Sequence, residues 1–113
     1  MSLHFELAER IGQHFADHLA APPELRQDAI LVTLANGSRV EIRYAAVDAY
    51  SLRWGRGETQ QCIDTAPCHP ELATSPNHLH RADGSLEADP FTRIGAPPWD
   101  NVRVVLELAI AGR

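Results

Sequence analysis

No lysine occurs among the 113 residues, so all ten basic side chains are arginine. Schiff-base chemistry and a Walker-type phosphate loop both need a lysine and are excluded. A G+C-rich coding sequence produces the same bias, and no function is read from it. Cysteine is scarce as well. Cys62 and Cys68 flank Pro67 at a spacing that fits neither C-x-x-C nor a paired zinc pattern, which argues against a disulfide framework and for reduced thiols. Long apolar runs are missing: Ala29-Ile30-Leu31-Val32 is typical, and the first amphipathic stretch carries Glu6, Glu9 and Arg10. The expectation is a cytoplasmic chain with no signal segment and no membrane contact. Positive charge is also in deficit, ten basic against fifteen acidic residues and a net charge of -5. That disfavours a broad duplex-binding surface and leaves room for a local arginine patch.

What remains is ordinary globular material, 44% hydrophobic and 22% charged, enough for one domain over residues 1–113. From Ser2 to about Ala20, Leu3, Leu7, Ile11, Phe15 and Leu19 recur every four positions, predicting an amphipathic helix over 2–20 that is stopped by Pro22-Pro23. Residues 28–65 predict a β-meander. Its first two runs flank Asn36-Gly37, read as a two-residue hairpin turn pairing Ala35 with Ser38, Leu31 with Ile42 and Thr33 with Val40. One face would then collect Leu31, Val40, Ile42 and Tyr44. Tyr50, Leu52 and Trp54 alternate in a third run, and a fourth follows the Gly55-Arg56-Gly57 turn. Residues 66–98 are rich in proline and histidine and lack sustained periodicity apart from a short strand near Ser85 to Ala88, so they predict a functional loop. Helical spacing returns over 100–111. The fold class expected is α+β, an antiparallel meander of four or more strands packed by an N-terminal and a C-terminal helix.

Chemistry concentrates in one segment. His69, His78 and His80 fall within twelve residues, stiffened by Pro67, Pro70 and Pro76. In an extended segment His78 and His80 project to the same side, and His69 can return to them across the Pro70 to Pro76 turn. Three readings fit. Two imidazoles can serve as general base and acid on a phosphodiester, with an arginine neutralising the phosphate. Two of the imidazoles of His69, His78 and His80, joined by a carboxylate or a thiolate, can instead hold zinc or another divalent metal. Or the histidines simply hydrogen-bond the backbone of a proline-rich connection. The His14 and His18 pair lacks the glutamate of a zincin motif and reads as a solvated helix face. Arg43, Arg53 and Arg56 could bind phosphate, with plain sheet solvation as the alternative. Tyr50 and Trp54 share a strand face, where core packing competes with base stacking.

Tyr50-Ser51-Leu52-Arg53-Trp54, a glycine turn, Asp64-Thr65-Ala66-Pro67-Cys68-His69-Pro70-Glu71-Leu72 and Thr74-Ser75-Pro76-Asn77-His78-Leu79-His80 together resemble the TumE-like family over residues 29 to 80. Those are small bacterial and archaeal proteins described as toxins of toxin–antitoxin pairs, with a helix-turn-helix antitoxin as the usual partner. Several positions depart from the family pattern. Cys62 and Ile63 stand where the family shows an arginine and an aromatic, Thr65 and Cys68-His69 replace an asparagine and a histidine pair, and Ser75 and Asn77 flank Pro76 in place of Phe and His.

The resemblance implies a toxin, and analogy with the commonest toxin chemistry extends that to metal-independent RNA cleavage. In this reading His69, His78 and His80 supply base and acid, Asp64 orients an imidazole, and Arg43, Arg53 and Tyr50 contact substrate. No cofactor is required, although a divalent metal fits the same histidines. A homo-oligomer is compatible with the chain. The competing reading is a non-catalytic module binding metal or protein through the same loop.

Overall fold

Ser2 caps the first helix by accepting a hydrogen bond from the Phe5 amide at 3.0 Å, and the helix, α1, runs Leu3–His14 in the computed structural model, which describes residues 2–113. Leu7 and Ile11 are buried on its inner face. It ends earlier than the periodicity predicts, because Phe15 leaves helical geometry and a short 3-10 turn, Ala16–His18, follows. The chain beyond that turn is captured by the sheet. Ala20 donates to the Thr33 carbonyl at 2.9 Å, Ala35 donates to the His18 carbonyl at 2.8 Å, and Leu19 bridges to Leu34.

Seven antiparallel strands follow in sequential order: β1 Glu24–Leu25, β2 Ile30–Thr33, β3 Arg39–Ala46, β4 Ala49–Arg56, β5 Thr59–Asp64, β6 His78–His80 and β7 Leu86–Ala88. The second helix, α2, spans Pro98–Ile110 with proline in its first turn, where a missing N–H costs nothing. This is the α+β meander with terminal helices that the sequence predicts. No helix among the described residues is long and apolar enough to cross a membrane.

One face of the sheet makes the core. Ile30, Ile42, Leu52, Ile63 and Leu79 lie opposite one another across five strands, and each is 0% exposed. Burying each such side chain contributes about 1.5–3 kcal/mol. Val32, Val40 and Trp54 form a second row, and Tyr44 stacks on Tyr50 with ring centroids 4.9 Å apart. Leu7, Ile11 and Phe15 from α1 and Val102, Val105, Leu106 and Ala109 from α2 complete the packing.

The hairpin register differs by one residue from the sequence expectation. Three residues, Ala35 to Gly37, form the loop rather than two: Leu34 donates to the Ser38 carbonyl at 2.8 Å and Gly37 to the Leu34 carbonyl at 3.0 Å. Gly37 sits at φ 89°, the left-handed position that a three-residue loop requires. Ile30 therefore pairs with Ile42 and Val32 with Val40, which puts Leu31 on the opposite face. Because side chains alternate with period two, the shift turns Ile30 and Val32 into the core in place of Leu31. Asn36 holds the longer loop in place. Its amide nitrogen donates to the carbonyls of Ala109 and Ile110 at 3.0 and 3.2 Å, satisfying the C-terminal end of α2, while its Oδ1 accepts from the Ser38 amide at 2.9 Å.

The segment 66–98 is also more ordered than a loop, since it contributes β6 as well as the short strand expected near Ser85 to Ala88. Its remainder is fixed by Asp89. That buried carboxylate accepts from the amides of Phe91 and Thr92 and from the side chains of Asn77 and Thr92.

Candidate functional site

The sheet face away from the helices is open, and strand register assembles a polar cluster on it. One row across the sheet reads Arg43, Ser51, Asp64, His78 and Ala88; the next reads Leu31, Glu41, Arg53, Cys62, His80 and Leu86. Asp64 and His78 are direct cross-strand partners, and His80 is diagonal to Asp64. Ile63 and Leu79 bury themselves on the reverse face, so the alternation that anchors β5 and β6 in the core turns Asp64, His78 and His80 outward.

The cluster is tight. His78 Nε2 lies 2.9 Å from Asp64 Oδ1, and His80 Nε2 lies 3.5 Å from Asp64 Oδ2. The His78 ring touches the rings of His80 and His69 edge-on, with centroids 4.8 and 5.0 Å away. Exposure separates the histidines. The His78 side chain is 3% exposed, under the 66–77 connection, whereas that of His80 is 45% exposed. His78 Nδ1 is 3.1 Å from the Pro76 carbonyl. A carbonyl only accepts, so Nδ1 carries the hydrogen, and Nε2 is the atom that meets Asp64.

All three imidazoles therefore share one site, and the group able to ligate a metal is two imidazoles with one carboxylate, the composition the sequence suggests, with His69 the histidine left out of it. His69 turns its Nδ1 toward Glu71 at 3.4 Å. Asp64 is the carboxylate: donor atoms of Asp64, His78 and His80 all lie within 4.8 Å of one another, a group able to hold a metal ion.

Beside the cluster is a cleft of about 300 Å³ lined by Arg53, Gln60, Gln61, Cys62, Asp64 and His80. Arg53 supplies its cation. Arg43 is on the same face, but its guanidinium is engaged by Glu41 at 2.8 Å. Tyr50 is not part of this site: it is 4% exposed on the core face, and its hydroxyl lies 2.7 Å from that of Thr92. The parity of β4, with Leu52 and Trp54 buried on either side of Arg53, explains both placements.

Cys62 was not singled out for chemistry by sequence reasoning, yet it stands between Arg53 and His80. Burial pushes its thiol up, against a contact to Ser51 at 3.8 Å and the nearby Arg53 guanidinium, which both pull it down. The signal that could have found it is two-residue alternation, since position 62 shares a face with position 64. Among the family-pattern departures, Cys62 and Ile63 thus fall on opposite faces. An arginine at 62 would face the cleft, and an aromatic at 63 would face the core.

The family model described as Toxin TumE matches residues 7–110, nearly the whole chain and both the helices and the sheet. No curated protein and no solved structure matches it.

Proposed function

Because the chain belongs to the TumE toxin family, we propose that it is the toxin of a toxin–antitoxin pair, that it acts on RNA through the open sheet face, and that a helix-turn-helix antitoxin restrains it. The observation that carries the RNA reading is the juxtaposition of an exposed imidazole, His80, with a carboxylate and an arginine around one cleft. His80 is the group placed to exchange a proton with a ribose hydroxyl or a leaving oxygen, and His69 is the second accessible imidazole. Asp64 orients His80 directly and also faces His78, whose ring packs against that of His69. Arg53 holds the phosphate and offsets charge as it develops on the phosphoryl oxygens. The net charge of -5 means that substrate is held locally, at this cleft, and not by a broad basic surface.

Induced expression is expected to slow growth unless the antitoxin is co-expressed, and purified protein to cleave a single-stranded RNA. His80→Ala should remove both effects at unchanged soluble level. Equal growth of cells making folded wild type and folded His80→Ala would overturn the active-toxin reading.

A further inference from the structure

The His78 ring presents a hydrogen-bonding conflict. Its Nδ1 hydrogen is committed to the Pro76 carbonyl at 3.1 Å, so in the neutral ring the Nε2 lone pair faces an Asp64 carboxylate oxygen at 2.9 Å. Two lone pairs at that distance repel unless a positive centre lies between or beside them. His80 directs a second imidazole nitrogen at the other oxygen of the same carboxylate, at 3.5 Å. Three ligand groups, two imidazole and one carboxylate, thus bring their donor atoms within 4.8 Å of one another, with the ring nearest the core oriented by a backbone carbonyl. That carbonyl contact is the arrangement by which metal-binding histidines are held in the right tautomer.

From this geometry we propose that Asp64, His78 and His80 form a binding site for a divalent transition-metal ion, with zinc as the best fit. Ligands about 2.0–2.1 Å from a tetrahedral zinc stand about 3.3–3.4 Å from one another. His78 Nε2 is 2.9 Å from Asp64 Oδ1, His80 Nε2 is 3.5 Å from Asp64 Oδ2, and the three ligand atoms lie within 4.8 Å of one another, so they reach that spacing around an ion by side-chain adjustment. Two imidazoles with one carboxylate favour zinc and its first-row neighbours over magnesium, which prefers all-oxygen surroundings. Three protein ligands leave a position open to water or a phosphate oxygen on the side where His80 is exposed. With the ion bound, the lone pairs of His78 and His80 are occupied, so the proton-transfer role proposed above belongs to the ion-free protein. The inference rests on the donor geometry and does not depend on RNA being the target.

The test is zinc uptake by tag-free protein, measured without RNA by competition with a chromophoric chelator and by elemental analysis after desalting. Wild type should retain about one equivalent of zinc and show no comparable affinity for magnesium. Asp64→Asn and His80→Ala, both at partly exposed positions, should weaken zinc binding by about 100-fold or more while leaving the circular dichroism spectrum unchanged. His14→Ala, on the distant helix face, should bind zinc as wild type does. No stoichiometric zinc in wild type, or equal affinity in wild type, Asp64→Asn and His80→Ala, would overturn the proposal and leave a proton as the positive centre between His78 and Asp64. Zinc binding that disappears in His14→Ala instead would place the ion elsewhere and overturn it equally. Uptake is read without RNA, so its failure is distinct from a failure of the toxin reading.

Discussion

Removing His78 and removing His80 should have unequal consequences for stability and a shared one for activity. The His78 side chain is 3% exposed and makes two polar contacts, to the Pro76 carbonyl at 3.1 Å and to Asp64 at 2.9 Å. A neutral hydrogen bond contributes about 0.5–1.5 kcal/mol, and the Asp64 contact, bridged by the proton or metal ion that its geometry requires, counts as one to a charged group at about 1.5–3 kcal/mol. Asp64 is 28% exposed, so solvent recovers part of its loss, and the lower end of each range applies. His78→Ala should therefore cost about 2 kcal/mol in lost bonds, with a cavity under the 66–77 connection added to it. That is a large share of the roughly 5–15 kcal/mol by which native domains are stable. His80, 45% exposed with one contact at 3.5 Å, should cost within about 0.5 kcal/mol when truncated. Urea unfolding followed by tryptophan fluorescence measures both, because Trp54 is in the core beside these strands. Coincident midpoints for the two variants would refute the assignment of His78 as the structural imidazole and His80 as the accessible one. A loss of activity in His78→Ala must be corrected for the folded fraction, whereas that in His80→Ala is read directly.

Asn36→Ala removes the side-chain bonds to Ala109, Ile110 and Ser38 and should cost about 1.5–3 kcal/mol in urea unfolding. Asn36→Asp should be worse than alanine, since it sets a carboxylate against the negative end of α2; an aspartate variant as stable as wild type would contradict this capping role. Tyr44, Tyr50 and Cys62 are all pushed upward, each chiefly by burial. Raised folded-state values mean that the stability these groups contribute is complete below their unfolded values and is lost as pH rises through the folded ones. Unfolding free energy should thus fall from about pH 8.5 upward; a flat profile between pH 8 and 11 would count against burial of these groups.

The architecture was legible where periodicity was strong. Leu7 and Ile11 announced α1, Val102, Val105 and Leu106 announced α2, and the alternation of Tyr50, Leu52 and Trp54 announced β4. Asn36-Gly37 located the first hairpin but not its loop length, because the same dipeptide serves two- and three-residue turns. Tertiary contact decides between them, here the bonds from Asn36 to the end of α2. β6 was hidden because three residues, two of them histidine, carry no propensity signal, and its pairing with β5 is settled by Ile63 meeting Leu79 in the core. The grouping of His69, His78 and His80 could be read from their closeness in the chain. Arg53 is among the arginines the sequence offers for phosphate, but that it and Cys62 stand beside the histidines depends on the register of strands separated by turns. Tyr50 showed its aromatic character in sequence, but only the parity of β4 shows which way it points.

The sequential strand order has a consequence for which changes of length the chain can absorb. Asp64 and His78 are held together by the pairing of β5 with β6, so the thirteen-residue span between them, and the Arg81 to Ser85 turn beyond, can lengthen or shorten with Asp64, His78 and His80 left in place, provided that Pro76 keeps its contact to His78; His69 alone would shift. A single residue inserted within β5 acts differently. It would rotate Asp64 inward and Ile63 outward, dismantling the site and the core in one step. Insertions and deletions should therefore be tolerated between the strands and purged within them, a pattern of allowed lengths that marks the open face as surely as the identity of its side chains.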